Sequence, residues 1–180
     1  MKMKKYLAVG TMTLLFVASS ALAQGGAPTD PQIVGVVSAA DQIDIDAAKL
    51  ALKKTKNNEV KQFAQQMIDD HTNLQKSVND LGKKLNVTPA ESDTSKSLKK
   101  DAAAEMKKLR GLSGKAFDTE YANHEVAYHQ QVLDAAGKVL IPNAQNAELK
   151  SALQGAAPLL QGHLQHAQQL QSSLGGNSGK

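Results

Sequence analysis

The amino-acid sequence predicts an all-α protein, an up-down four-helix bundle, from three observations. Ala, Leu, Lys and Gln, which favour helices, are frequent, whereas aromatic residues make up only 3% of the 180 residues. Apolar residues recur at steps of three and four in four long segments, so each segment has one face to bury. The first and last connections between these segments are short, which favours antiparallel neighbours. An extended helical hairpin that oligomerises through the same faces is the alternative.

The first 23 residues have the features of an export signal. A basic start precedes an apolar run from Tyr6 to Val17, and Ala21 and Ala23 fit the small-residue pattern that signal peptidase recognises. We predict cleavage after Ala23, because the run is shorter than the roughly 20 residues of a membrane span. An uncleaved anchor is the alternative. The signal predicts a periplasmic protein, with association with the outer membrane left open.

The exported chain is close to neutral in charge. Residues 1–23 contain three lysines and no acidic residue, so 18 of the 21 Lys and Arg remain beside all 17 Asp and Glu. A net charge of +1 and few aromatic residues provide neither a basic surface nor stacking platforms, so we expect no nucleic-acid partner. The absence of cysteine excludes disulfides, thiol chemistry and a lipid-modified cysteine.

The bundle domain is predicted over residues 31–174, between a flexible leader (24–30) and a flexible tail (175–180). Its four core helices are predicted over 31–56, 59–85, 115–140 and 147–174. The first begins at Pro31 with Asp30 as its cap. An extra short helix over 98–109 has few apolar positions, and we expect a connector or partly exposed arm between core helices two and three. Pro158 is expected to kink the fourth core helix.

The buried faces include one polar position in each core helix. These positions are Asp44, His71, His129 and His163, and Glu125 lies one turn before His129. Asp44 and His71 are similarly far from the turn that joins their helices, so antiparallel packing brings them to one level. The levels of His129 and His163 differ by about one and a half turns, which the loop or the Pro158 kink has to absorb. We therefore predict a polar layer at mid-height of the bundle.

Two functions fit such a layer. The sequence favours a structural or interaction module of the cell envelope, in which Asp44 and Glu125 orient the imidazoles and the network fixes the helix register. The alternative is a transition-metal store, sensor or carrier that binds Zn, Cu or Fe(II) through all five residues. His124 and His166 lie off the buried faces and are expected to be solvated.

The sequence contains no pattern typical of an enzyme. A ferritin-type di-iron site requires Glu-x-x-His pairs, and none of the five histidines has an acidic residue three positions before it. A cysteine nucleophile, a Gly-x-Ser-x-Gly elbow and a Gly-rich phosphate loop are also absent. We therefore expect a non-enzyme whose partner is an envelope protein or a second copy of the chain.

Four segments resemble a known family. Residues 44–51 and 60–72 are similar to the opening helices of the domain of unknown function 4142 family, 117–129 to its third helix and 163–167 to its fourth. The resemblance covers about 33–174 and implies an exported bacterial protein with a ferritin-like helical fold, often labelled an outer-membrane protein. The residues that it places at motif positions are Asp44, Asp46, His71, His129 and His163. It implies no activity, since the function of the family is not established.

Overall fold

The computed structural model describes residues 26–176, and it confirms the predicted all-α class. Five helices, α1 to α5 in chain order, cover Asp30–Lys54, Asn58–Lys84, Asp93–Gly111, Gly114–Ala135 and Ala147–Gly176. No strand occurs in this part of the chain. The ferritin-like topology stays a prediction, and the predicted export signal lies outside the described residues. Within 26–176, no helix combines the length and the apolar character that crossing a membrane requires.

The start of α1 differs by one residue from the prediction. Thr29 is the N-cap, and its backbone N–H donates to Gln32 Oε1 over 3.0 Å. The predicted cap, Asp30, has a different role. Its carboxylate accepts hydrogen bonds from the backbone N–H groups of Gln145 (2.8 Å) and Asn146 (2.9 Å). Asp30 thereby joins the start of α1 to the turn before α5, a contact that no local pattern indicates.

Helix α3 is longer than the short arm that the sequence predicts. It begins after Ser92, whose Oγ accepts from the Ser95 backbone N–H, and continues for 19 residues. Most of its side chains are exposed, as expected, but Leu109 near its end is fully buried. The Nζ of Lys54 on α1 donates to the carbonyl oxygens of Arg110 (2.5 Å) and Leu112 (2.6 Å). These contacts hold the end of α3 against the bundle.

The helical segment that begins with α4 continues three residues beyond its predicted end at residue 140. A π-helical turn, Ala136–Leu140, and a last helical turn, Ile141–Asn143, follow α4 directly. Fourteen residues therefore separate His129 from the end of this continuous segment, and sixteen separate the start of α5 from His163. These lengths differ by two residues, so at a rise of 1.5 Å per residue the levels of His129 and His163 differ by only about 3 Å. The larger difference in level expected from the sequence arose because the helix end was predicted too early. Helix α5 remains helical through Pro158.

Two apolar clusters fill the bundle, and the polar residues lie between them. The aromatic cluster contains Phe63, Phe117 and Tyr121, with alanines of α1 and the end of α5. The aliphatic cluster contains mainly Ile, Val and Leu residues from the start of α1, the end of α2 and the start of α5. In α1, α2, α5 and the segment that begins with α4, the predicted polar residue lies between the residues that belong to the aromatic cluster and those that belong to the aliphatic cluster. The layer is therefore at mid-height, as predicted.

Candidate metal centre

The structure brings all five predicted site residues together. They are buried in the layer between the two clusters, none more than 3% exposed. Their possible ligand atoms form two groups within 4.8 Å: His71, His129 and His163 in one, and Asp44, Glu125 and His129 in the other. His129 belongs to both groups. The remaining motif position, Asp46, is exposed and accepts a hydrogen bond from Gln42, so it lies outside the layer.

Each of the three imidazole rings is held by one nitrogen. The Nδ1 of His71 lies 2.9 Å from Asp41 Oδ1, and the Nε2 of His163 lies 2.8 Å from Asp70 Oδ2. His129 Nδ1 donates to the backbone carbonyl oxygen of Glu125 over 3.0 Å, across one turn of α4. These contacts fix the orientation of each ring.

The second nitrogen of each ring is buried without a hydrogen-bond partner. These atoms are His71 Nε2, His129 Nε2 and His163 Nδ1. Both carboxylate oxygens of Asp44 and of Glu125 are also unpartnered. Each such buried group costs about 1–3 kcal/mol unless something binds it. The rings are thus satisfied at their outer nitrogens and unsatisfied at their inner nitrogens, and on the outer side Asp41 Oδ2 also lacks a partner.

The inner atoms have the separations of ligands around a single ion. Asp44 Oδ2 lies 3.2 Å from His71 Nε2 and 3.4 Å from His129 Nε2, without the geometry of a hydrogen bond. Ligand atoms bound at 2.0–2.1 Å to a tetrahedral zinc ion are about 3.3 Å apart, and imidazole ring centres about 5 Å apart. The three ring centres are 5.2, 5.3 and 5.6 Å apart. The three imidazoles therefore have the spacing of ligands to one tetrahedral ion, and Asp44 lies at ligand spacing from two of them, His71 and His129.

Burial controls the protonation of the layer. It lowers the pKa of His129 to about 3 and also lowers the pKa of His163, so both rings are neutral at pH 7 and able to bind a metal. Burial raises the pKa of Asp44 to about 6, although His71 opposes the rise. Burial acts to lower the pKa of His71, but the Asp41 hydrogen bond and the Asp44 charge outweigh it and raise this pKa. Burial and the Asp44 charge raise the pKa of Glu125 well above its ordinary value.

Two residues that hold the rings were not predicted from the sequence. Asp41 lies three positions before Asp44 on the same helix face, so its spacing was a usable signal. Asp70 precedes His71 directly and contacts His163 of α5. No pattern within α2 indicates that contact.

The expectation that His124 and His166 are solvated is wrong, because both are half-buried. The His166 ring packs edge-on against Phe63, with ring centres 5.0 Å apart, and its Nδ1 lies 3.0 Å from Gln66 Oε1. His124 stacks on Tyr128 with ring centres 5.5 Å apart. Tyr128, one turn further along α4, covers His124, and Phe63 of α2 covers His166.

The fold and the layer define a helical-bundle protein with a buried cluster of side chains able to bind a metal. The chain belongs to the family described as Domain of unknown function (DUF4142), whose model matches residues 16–170. The predicted family is confirmed. No curated protein sequence matches the chain.

Several solved structures share this fold. CopM in its Cu(II)-bound form is 19% identical, covers 81% of this chain and 98% of its own, and has a TM-score of 0.62. The Ag-bound form of CopM is 18% identical, covers 81% and 97%, and has a TM-score of 0.61. A DUF305 protein of Streptomyces coelicolor, whose name describes it as secreted, is 17% identical, covers 80% and 92%, and has a TM-score of 0.68. At these identities the likeness supports the bundle fold.

Proposed function

We propose that the protein binds a divalent transition-metal ion in the polar layer and acts as a metal store, sensor or carrier, not as an enzyme. The ligands are His71, His129, His163 and the carboxylate of Asp44. One observation carries the proposal: each ring is held on its outer nitrogen, while its inner nitrogen is buried, unpartnered and close to the others. Metal-binding histidines are held in this way by a carboxylate or carbonyl behind the ring.

A purely structural role explains fewer of the contacts in the polar layer than a bound metal ion does. A buried polar network specifies a fold when all its members are satisfied, and it is costly when it is half satisfied. Here Asp44 accepts no hydrogen bond at either oxygen, and three ring nitrogens are left over. A single cation satisfies one Asp44 oxygen and all three nitrogens. The structural module remains the second candidate, favoured by the outer hydrogen bonds alone.

The ligand set determines which ions to test. Imidazole and carboxylate without thiolate suit Zn(II), Cu(II) and Fe(II). The names of the two CopM structures specify Cu(II) and Ag, which supports testing copper first. Glu125, with two unpartnered oxygens beside Asp44, is the fifth ligand available to an ion that prefers higher coordination.

The test is a titration of the purified metal-free protein with each ion against a competing chelator, together with thermal melts. We expect one equivalent bound and a raised Tm for at least one ion. His129→Ala should lose both effects, whereas His124→Ala, on the same helix but outside the layer, should retain them. No uptake of any ion, or uptake that His129→Ala leaves unchanged, would contradict the proposal.

We also propose that the protein is exported to the periplasm. The signal-like residues 1–23 support this location, as does the described secretion of the DUF305 neighbour. Expression of the full chain, cell fractionation and N-terminal sequencing should give a periplasmic or outer-membrane-associated product that begins at Gln24. A cytoplasmic product that retains Met1 would overturn the proposal. Self-association or an envelope protein partner stays a prediction.

A further inference from the structure

The polar layer is closed to solvent on almost every side. The side chains of Asp41, Asp44, His71, Glu125 and His129 are at most 6% exposed. Asp70, the outer partner of His163, is the exception among the residues that form or hold the layer, with 29% of its side chain exposed. It belongs to α2, and His163 belongs to α5. Among the described residues that form or hold the layer, Asp70 alone therefore offers an accessible carboxylate to an approaching ion, at this position between α2 and α5.

A continuous line of hydrogen bonds follows the same boundary. His166 Nδ1 lies 3.0 Å from Gln66 Oε1, and Gln66 Nε2 donates to Asp70 Oδ2 over 3.3 Å. The same Asp70 oxygen lies 2.8 Å from His163 Nε2. The other nitrogen of His163 lies in the layer itself. This α2–α5 seam, formed by Gln66, Asp70, His163 and His166, therefore leads from half-buried side chains at the surface to the proposed ligands.

We propose that the α2–α5 seam is the route by which a divalent metal cation enters the layer, and that Asp70 is a positioning residue for entry. The inference rests on the proposed function. The Asp70 carboxylate attracts a cation to the seam, and negative charge at a site entrance raises association rates. It also holds the His163 ring from the exposed side of the layer.

The corresponding outer contact of His71 provides the comparison. Asp41 holds His71 by the same kind of contact, but its side chain is only 6% exposed. Removal of the Asp41 charge should change how tightly the ion is held. Removal of the Asp70 charge should change how fast the ion arrives.

The test measures association and dissociation rates separately, by stopped-flow mixing of metal-free protein with Cu(II) or Zn(II) and by chelator chase. Asp70→Asn retains an acceptor for His163 and removes the charge, so we expect association to slow by about tenfold. Its dissociation rate should change little, and its association should depend less on salt than that of the wild type. Asp69→Asn is the matched control, since Asp69 is the exposed neighbour with the same charge. Asp41→Asn should mainly raise dissociation.

Equal slowing by Asp69→Asn and Asp70→Asn would overturn the inference, as would an effect of Asp70→Asn on dissociation alone. Failure of the proposed function gives a different result, because the wild type then takes up no ion at equilibrium. If the wild type takes up no ion, the entry route fails together with the proposed function. Normal uptake by the wild type with unchanged Asp70→Asn association would overturn the entry route alone.

Discussion

The aromatic cluster and the polar layer are neighbouring slabs of one bundle, equally buried but unequally complete. In the aromatic cluster, Tyr121 packs edge-on against Phe63 and stacks with Phe117, with ring centres 6.1 and 6.2 Å apart. Apart from the Tyr121 hydroxyl, which is buried without a hydrogen-bond partner, this packing needs nothing beyond the chain itself. In the layer, Asp44 and Glu125 accept no hydrogen bonds at all. The difference shows that burial alone does not separate structure from function here, whereas a concentration of unpartnered buried polar atoms does.

The largest expected effect comes from the aromatic cluster and does not depend on metal. Phe63→Ala removes a fully buried ring and should lower the free energy of unfolding by about 3–5 kcal/mol. Urea denaturation of metal-free and metal-saturated protein should show the same loss. Leu159→Ala is the control, because Leu159 is 38% exposed and should lose far less. If saturating metal abolished the loss of unfolding free energy in Phe63→Ala, the aromatic cluster would not be independent of metal, contrary to this prediction.

The corresponding change in the layer should act only when metal is present. His129→Leu replaces a ring whose Nε2 has no partner, so the unfolding free energy of the metal-free protein should stay within about 1 kcal/mol of the wild type. An ion at a hundred times its Kd should stabilise the wild type by about 2.7 kcal/mol, and the variant should lose this gain. Denaturation with and without metal measures both quantities. A large loss in the metal-free variant would favour the structural module.

The aliphatic end of the bundle offers a third comparison, in steric fit. A Cβ added at Gly35 would lie 2.1 Å from the Ala90 carbonyl oxygen, so Gly35→Ala should cost about 1–3 kcal/mol. Gly155→Ala meets no atom within 4 Å and should instead stabilise α5 by about 1 kcal/mol. Thermal melts report both changes, and metal affinity should be unchanged in both. Equal effects of the two substitutions would contradict the close approach at Gly35.

The smallest expected effect concerns pH. Burial lowers the pKa of His124 to about 4, below its ordinary value of 6.5, while nearby Glu120 acts to raise it and Lys108 to lower it further. The stability that the neutral ring contributes is complete above pH 6.5 and decreases as the pH falls towards 4. His129 and His163 act in the same direction, whereas His71 and Asp44, with raised pKa values, oppose them.

His124→Gln removes one of these groups. Unfolding free energies of the metal-free protein at pH 7.5 and pH 5 should therefore differ less in this variant than in the wild type. Gln171→Ala, at an exposed position of α5, serves as a control with no titrating group. An unchanged difference between the two pH values would show that His124 does not titrate as its burial indicates.

Much of the candidate site followed from local patterns. The 3.6-residue period shows that Asp44, His71, His129 and His163 interrupt otherwise apolar faces, and burial of those faces is required whichever helices meet. Asp41 was detectable by the same argument, since it shares the face of Asp44. The end of the helical segment that begins with α4 was not detectable, because a last helical turn, Ile141–Asn143, extends it past the end predicted at residue 140.

The sequence by itself determined which side chains are buried at mid-height, because burial depends on a period within each helix. Only the tertiary structure decided that Asp41 holds His71, that Asp70 holds His163, and which nitrogen of each ring is left free. These contacts cross between helices, so they depend on the rotation and axial offset of one helix against another. A rotation of a few tens of degrees would exchange the partners and leave every apolar pattern unchanged, and for that reason the chemistry of the layer is a tertiary property.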